Sequence, residues 1–165
     1  MLYILKELNI TKVMMATDAS VQNELTGFAV YVVGNDRNYQ YRIDSEVSST
    51  TGELLAILDA VKLAVLNNIK RLAVFTDSKS ACLLIKKVDP LNYIVARIID
   101  CIISAPFLEM VQLIWTPGHS GIQINERVDS YARNAAFSGV IVDFDFTPEE
   151  ALRHIKKNSV LKLEQ

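Results

Sequence analysis

The sequence lacks the features that would suggest export, membrane insertion or a sulfur-bound metal. Among its 165 residues there are only two cysteines, Cys82 and Cys101, and both lie in apolar segments without metal-ligand spacing. Such cysteines are typical of reduced thiols in the core of an intracellular protein. No apolar run reaches the roughly 18 residues needed to span a bilayer, and the first residues lack the layout of a signal peptide. We therefore expect an intracellular protein, cytoplasmic or nuclear, with no membrane partner.

The chain also lacks a net positive charge. Its formal net charge is −2, whereas a protein that binds nucleic acid through broad phosphate contact alone is usually basic. Any contact with nucleic acid should therefore be local, or should depend on metal ions or on another domain. Half of the residues are hydrophobic and 22% are charged, which predicts a folded globule rather than a disordered chain. The length suits a single domain with a substantial core.

The hydrophobic patterns predict an α/β fold. Two short apolar runs and one alternating segment predict three strands that form an antiparallel meander, at residues 13–17, 28–33 and 39–43. A long apolar segment at 54–66 predicts a buried helix. Later patterns predict strands at 72–76 and 111–115, helices at 78–88, 92–104, 125–138 and 148–157, and a linker at 137–146. This order predicts a five-stranded mixed sheet, three antiparallel strands followed by two parallel ones, flanked by helices.

Four acidic residues occupy four separate settings in this pattern. Asp18 and Asp77 each follow an apolar run, Glu53 opens the long apolar helix, and Asp129 lies inside a later helix. If the two strands are neighbours, their C-terminal ends bring Asp18 and Asp77 together, and such carboxylates repel unless a cation lies between them. Oxygen ligands alone suit Mg²⁺ or Mn²⁺ rather than zinc. The pattern therefore predicts a site for two divalent ions that promote phosphodiester cleavage.

Considered alone, each of these acidic residues also has a structural interpretation. Glu53 matches the last position of a capping box at the helix start, and Asp77 suits the N-cap of the following helix. Asp18 suits a turn, and Asp129 could form an ion pair with Arg133 one helical turn later. The four residues taken together favour a metal site.

Several motifs of this chain resemble type 1 ribonuclease H. They lie at residues 17–20, 52–57, 76–78, 115–122 and 125–129. The most specific is a Trp-x-Pro-Gly-His-Ser-Gly-Ile run followed by Asn-Glu-x-x-Asp, which is similar to the ribonuclease H domains of non-LTR retrotransposon polyproteins. The resemblance covers about residues 12–138. It implies a ribonuclease H-like fold, with a ribonuclease H domain at 1–138 and a linker with a C-terminal helical extension at 139–165.

The resemblance also implies an activity. Members of this family cleave the RNA strand of RNA–DNA hybrids with two Mg²⁺ ions, or Mn²⁺ in their place, and leave 5′-phosphate ends. Metal-binding and catalytic roles fall on Asp18, Glu53, Asp77 and Asp129. His119 corresponds to the family's flexible histidine, which assists water positioning or product release; a plain turn residue is the alternative. Substrate contacts, suited to the 2′-OH groups of RNA, fall on Ser20, Thr50, Ser78 and Asn125.

Some positions depart from the family pattern. Ala19 and Ile124 stand where glycine is common, beside Asp18 and in the approach to Asn125. The interval between Asp77 and His119 leaves little room for the basic handle that some cellular members use to hold the hybrid. We therefore expect weak hybrid affinity in the isolated domain.

Three functional hypotheses follow. The leading one is a hybrid-specific endoribonuclease that works within a retrotransposon, together with a reverse transcriptase domain of the same polyprotein. The alternative is a catalytically silent nucleic-acid-binding or structural domain derived from a retroelement. The third is another nuclease or a transposase of the same fold, which the motif at 118–122 disfavours. Intact carboxylates favour the enzyme, because a silent domain has no reason to keep four mutually repelling acids.

Overall fold

The computed structural model describes residues 12–145 and 148–163, and side chains as far as residue 157. In chain order the elements are β1 (Val13–Gln22), β2 (Leu25–Val32), β3 (Asn38–Ile43), α1 (Ser49–Leu66), β4 (Arg71–Thr76), α2 (Lys79–Lys87), α3 (Tyr93–Ile103), β5 (Met110–Trp115), α4 (Gln123–Ser138), β6 (Val140–Ile141) and α5 (Pro148–Leu163). The residues used to predict the absence of a signal peptide lie outside these ranges. Within them, no helix combines the length and the apolar character needed to cross a bilayer.

The strands form one mixed sheet with the order β5-β4-β1-β2-β3-β6. β1, β2 and β3 pair antiparallel, and β4 and β5 continue the sheet in parallel from β1. This confirms the predicted fold class and the arrangement of the first five strands. The predicted strand count was one too low for the described residues, because Val140 and Ile141 pair in parallel with Tyr41 and Arg42 of β3. A strand of two residues is too short to leave a recognisable hydrophobic pattern.

Helices cover both faces of the sheet. On one face, α1 and α3 enclose the main core, in which Met15 and Val30 of the sheet pack with Leu54 and Ile98 of the helices. On the other face, α4 packs its buried side chains against Ala16, Ala29 and Tyr31. β1 and β2 are therefore buried on both sides, which explains their continuous apolar runs. Helix α4 in turn carries Asp129 to the same end of the sheet as Asp18.

Gly27 in β2 permits the close approach of α4. A Cβ atom at this position would lie 2.3 Å from the backbone nitrogen of Ala136 and 2.4 Å from the carbonyl oxygen of Ala132. Both are backbone atoms of the helix, so no side-chain rotation could relieve the overlap. The absence of a side chain at Gly27 therefore sets the distance between the helix and the sheet.

Gly27→Ala is expected to destabilise the fold by about 3 kcal/mol, because overpacking here displaces a whole helix. Urea unfolding measures the loss. Gly34→Ala is a comparison variant, since Gly34 has a positive φ of 98° but open space around its Cβ position. This variant reports the cost of backbone conformation alone, about 1–2 kcal/mol. A loss of less than about 1 kcal/mol in Gly27→Ala would contradict a steric role for Gly27.

The two cysteines occupy less buried positions than the sequence suggested. Cys82 on α2 and Cys101 on α3 are both free thiols of intermediate exposure, and Cys101 packs at the edge of the main core. The prediction that both are core residues is therefore too strong. Each helix turns its most apolar face inward, and neither cysteine lies at the centre of that face.

Candidate metal centre

The carboxylates of Asp18 and Asp77 emerge where β1 and β4 separate. The last parallel pair between these strands is Ala16 with Phe75, and each acid lies two residues beyond it. β1 continues past this point as the partner of β2, so Asp18 lies inside a strand, opposite Ala29, and not at the strand end that its apolar run suggested. Asp18 is therefore held by regular strand geometry, and the turn interpretation is wrong.

Helix α1 brings Glu53 to the same place. One ligand oxygen from each of Asp18, Glu53 and Asp77 lies within 4.8 Å of the other two. The backbone N–H of Ala19 donates hydrogen bonds to Asp18 Oδ1 at 2.8 Å and to Glu53 Oε1 at 3.2 Å. The methyl group of Ala19 faces Gly52, where a Cβ would lie 2.8 Å away. Alanine instead of glycine at position 19 is thus accommodated by the glycine of the helix.

The start of α1 differs from the predicted capping box. The N-cap is Ser48, whose side chain accepts a hydrogen bond from the backbone N–H of Thr51 at 3.1 Å. Glu53 lies more than one turn inside the helix, too far along to fold back onto the cap. The capping interpretation of Glu53 is therefore wrong.

Asp77 is likewise not a helix cap. Ser78 is the N-cap of α2 and accepts from the backbone N–H of Ala81 at 3.2 Å. The side chain of Asp77 points instead toward Gly118, where a Cβ would approach Asp77 Oδ2 to 2.7 Å. A side chain at position 118 would therefore displace this carboxylate, and glycine lets the loop that carries His119 pass close to Asp77 without moving it.

Asp129 and His119 complete the walls of the site. A cavity of about 220 Å³ is lined by Asp18, Ala19, Glu53, Asp77, His119, Asn125, Glu126 and Asp129. Asp129 is half-buried and forms the anticipated ion pair with Arg133 one turn later. His119 is exposed and has a left-handed φ of 53°, a conformation that marks the turn of its loop. Glu126 was not singled out from the sequence, although it lies one turn before Asp129 within the Asn-Glu-x-x-Asp motif.

Burial and mutual repulsion make these acids hard to ionise. Burial raises the pKa of Asp18 to about 6, opposed by the interaction with the Glu53 carboxyl and by the hydrogen bond from the N–H of Ala19, and reinforced by the charges of Asp77 and Asp129. Burial and the charge of Asp18 hold the pKa of Glu53 well above its usual range. Burial also raises the pKa of Asp77, although the charge of His119 acts against this. The site therefore favours a bound cation whenever all the acids are ionised.

The residues present fit a divalent metal ion. Glu53 Oε2 is buried and has no hydrogen-bond partner among the described residues, so a lone pair of a buried carboxylate is available for a ligand. The donor set consists of oxygen atoms alone, which suits Mg²⁺ or Mn²⁺. Asp18, Glu53 and Asp77 would hold the ion, and Asp129 lines the same cavity from α4.

The metal-free protein is expected to lose stability as the pH rises from about 4 to about 7. The folded pKa of Asp18, about 6, lies above its ordinary value of 3.8. A raised pKa contributes stability that is present below the unfolded value and is lost as the pH rises through the folded value. The expected loss is on the order of 3 kcal/mol, since one pKa unit corresponds to about 1.4 kcal/mol.

Urea unfolding at pH 5 and pH 7.5, with EDTA or with Mn²⁺, measures this effect. Mn²⁺ should stabilise the protein more at pH 7.5, where the carboxylates are free to bind it. Asp100→Asn is the matched charge control, because Asp100 is exposed on α3. An equal Mn²⁺ effect at both pH values would contradict a carboxylate metal site.

The four residues implied in substrate contact have different local settings. Asn125 lines the carboxylate cavity, and its side-chain amide donates to Thr116 Oγ1 at 2.8 Å. Because α4 begins at Gln123, Asn125 lies in the first turn of this helix and is not its N-cap. Its hydrogen bond to Thr116 connects that first turn to the preceding loop. Ser78 caps α2, and Ser20 lies in β1 and accepts from Gln22. Thr50 lines a separate groove of about 1030 Å³ beside the start of α1.

Comparisons with known proteins agree with this architecture. A protein-family model described as RNase H matches residues 10–137. Among solved structures, RNase H1 from the halophilic archaeon Halobacterium salinarum NRC-1 is similar, with a TM-score of 0.60 and 14% sequence identity over 76% of this chain and 97% of that one. At this identity the similarity shows the fold alone. No curated protein matches the chain at a significant level.

Proposed function

Because this chain belongs to the ribonuclease H family, whose model matches residues 10–137, we propose that it is a metal-dependent endoribonuclease that cleaves the RNA strand of RNA–DNA hybrids. The observation that carries the proposal is the convergence of Asp18, Glu53 and Asp77, with ligand oxygens within 4.8 Å of one another. Three acids so close, two of them buried, are costly unless they bind a cation. A divalent cation bound between the three carboxylates would offset their mutual repulsion.

The carboxylates would bind the metal ions at which the reaction takes place, and neighbouring residues fix the positions of these carboxylates. Two divalent ions bound there would supply an activated water and stabilise the leaving oxygen, as in other two-metal phosphodiesterases. Asp18 and Glu53 accept hydrogen bonds from the N–H of Ala19, and the Asp77 carboxylate lies beside Gly118. Asp129 approaches from the opposite face of the sheet, and Arg133 orients its carboxylate. The ligands are thus positioned before metal binds.

His119 is proposed to assist proton transfer or product release. It lies on the rim of the cavity in an exposed turn, where an imidazole can reach the substrate and withdraw. Ser20, Thr50, Ser78 and Asn125 are proposed to approach the hybrid, in which 2′-OH groups distinguish RNA from DNA. Ser78 and Asn125 also have structural hydrogen bonds, so their backbone and remaining polar atoms would make such contacts.

A labelled RNA–DNA hybrid incubated with Mg²⁺ or Mn²⁺ tests the proposed activity. The RNA strand should be cut into fragments with 5′-phosphate and 3′-hydroxyl ends, and a DNA duplex of the same sequence should survive because it lacks the 2′-OH. A hybrid that stays intact at every concentration of divalent metal, while still binding the protein, would support the silent nucleic-acid-binding alternative. Cutting of the DNA duplex would support a different nuclease of the same fold.

A retrotransposon origin is proposed from the motif at residues 115–129, which resembles the corresponding block of non-LTR elements. In that setting the partner would be a reverse transcriptase domain of the same polyprotein, and the protein would act in the cytoplasm or the nucleus. Sequencing of the parent transcript tests this proposal. A reverse transcriptase reading frame joined to this one is the expected result, and a transcript without one would contradict it.

The division into a ribonuclease H domain at 1–138 and an extension at 139–165 is also a proposal. The family match ends at residue 137, close to the end of α4. Part of the extension nevertheless contacts the domain, since β6 pairs with β3 and α5 contacts the segment before α1. A chain that ends at residue 138 tests the boundary, and a cooperative unfolding transition in urea is the result expected if residues 1–138 form a domain.

A further inference from the structure

Helix α5 lies beyond the family match and contacts the start of the helix that carries Glu53. Its residue Glu150 is buried, with only 3% of its surface exposed. Glu150 Oε1 accepts hydrogen bonds from the backbone N–H of Ser48 at 2.9 Å and from Thr51 Oγ1 at 2.6 Å. A carboxylate from a distant part of the chain therefore occupies the N-terminus of α1.

This contact completes a cap that α1 does not complete by itself. In a capping box, the N-cap side chain accepts from the third residue of the helix, whose own acidic side chain returns to the N-cap N–H. Ser48 makes the first bond, to the N–H of Thr51. The third residue, Thr51, has no carboxylate, and Glu150 bonds the N–H of Ser48 in its place. The favourable interaction of a carboxylate with the helix N-terminus adds to the cap.

The cap determines where Glu53 can lie. Glu53 follows Thr51 by two residues on the same rigid helix, and Gly52 between them packs against Ala19 of β1. Fraying of this first turn would let Glu53 move away from Asp18 and Asp77. With the first turn capped by Glu150, Glu53 keeps its place beside Asp18 in the cavity.

Other side chains hold α5 in place. Arg153 and Lys157 form ion pairs with Glu46, at 3.3 Å and 2.6 Å, and the Nε2 atom of His154 lies 2.7 Å from the carbonyl oxygen of Glu46. Glu46 lies two residues before Ser48, so the same short segment is bound by successive turns of α5. Glu150 is the one carboxylate among these contacts that reaches the helix cap.

We propose that Glu150 is a positioning residue for the metal centre, which acts through Ser48 and Thr51 on the placement of Glu53. This inference rests on the proposed function only in taking Glu53 as a metal ligand. The C-terminal extension would then help to position a metal ligand, in addition to any contribution to the stability of the fold.

Glu150→Ala in the full chain tests the proposal, with Glu149→Ala as its matched control. Glu149 is the preceding residue in the first turn of α5 and is exposed, so both variants lose the same charge from the same turn. Glu150→Ala should weaken Mn²⁺ binding about tenfold, as is common when a residue that orients a metal ligand is removed. Glu149→Ala should bind Mn²⁺ as the wild type does. Glu150→Gln, which keeps an acceptor for the N–H of Ser48, should restore most of the affinity.

Two measurements on the folded variants separate positioning from stability. Calorimetric titration with Mn²⁺ well below the melting temperature reports metal affinity without any cleavage, so a failure to cut hybrid leaves the test readable. Hydrogen exchange without metal should show faster exchange of the Gly52 and Glu53 amides in Glu150→Ala. Should Glu150→Ala fail to fold, Thr51→Val removes the hydroxyl donor and is measured in its place.

A lower melting temperature with unchanged Mn²⁺ affinity and unchanged exchange would overturn the proposal, because Glu150 would then be only structural. Tighter hybrid binding or faster cleavage in Glu150→Ala would also overturn it, since α5 would then be covering the substrate site. Weaker Mn²⁺ binding together with rescue by Glu150→Gln is the result that supports it.

Discussion

Asp77→Asn is expected to abolish hybrid cleavage while leaving the fold at least as stable as that of the wild type. Loss of a ligand that stabilises transition-state charge through metal is worth several kcal/mol, or about 10³-fold or more in rate. The fold should not suffer, because burial and the charge of Asp129 already raise the pKa of Asp77. A neutral amide relieves that repulsion in the metal-free protein.

The structure makes this experiment decisive. Asparagine is nearly as good an N-cap as aspartate, so activity would persist if Asp77 only capped α2. Ser78 holds that position instead. Steady-state cleavage of a labelled hybrid measures the effect, and urea unfolding in EDTA measures stability. Asp100→Asn, on the exposed surface of α3, controls for the change in net charge and should cut hybrid normally. Turnover like that of the wild type in Asp77→Asn would remove Asp77 from the catalytic site.

His119→Ala is expected to lower turnover by about 10²-fold, in the lower part of the range for general acid–base assistance, while Mn²⁺ affinity stays close to that of the wild type. His119 lines the same cavity as the carboxylates, but it is not one of the three residues whose ligand atoms converge within 4.8 Å. Its loss should therefore affect proton transfer or product release and not metal binding. Steady-state cleavage and calorimetric titration with Mn²⁺ measure the two properties separately.

A second variant at His119 is needed to separate loss of the imidazole from a change in backbone preference. Its φ of 53° lies in the left-handed region, which alanine adopts less readily than asparagine. His119→Asn removes the imidazole but keeps the preference for this conformation. If the imidazole matters, both variants should lose activity to a similar degree. Full activity in His119→Asn would assign His119 to the turn alone, and lost Mn²⁺ binding in either variant would make it a metal ligand.

Much of the site could be predicted from local sequence because the acids follow strongly apolar elements. The runs before Asp18 and Asp77 are buried on both faces and are hydrophobic throughout, so their strand character is clear without a partner. The sequence left the pairing of these two strands open, and the structure shows their parallel register, which ends at Ala16 and Phe75. The motif around His119 and Asp129 is continuous in sequence and needed no tertiary information to be recognised.

The cap of α1 could not be predicted in the same way. Thr50, Thr51, Gly52 and Glu53 fit a local capping box, but the helix begins earlier, at a cap completed by Glu150 from α5. A local pattern cannot reveal a hydrogen bond between residues about one hundred positions apart. The sixth strand was missed for a similar reason, since two residues form a strand only where β3 offers a free edge.

The amino-acid order by itself determined which residues are acidic, which segments are apolar and in what sequence strands and helices follow, because these depend on side-chain chemistry and short-range periodicity. Only the tertiary structure decided which of those acids meet. Asp18, Glu53 and Asp77 lie on three elements whose approach is set by sheet register, by the missing side chain of Gly52 and by the cap at Ser48. Whether a carboxylate caps a helix or binds a cation depends on which groups lie within reach of it in the folded protein. A buried carboxylate is costly unless a hydrogen-bond donor or a cation pairs with its charge.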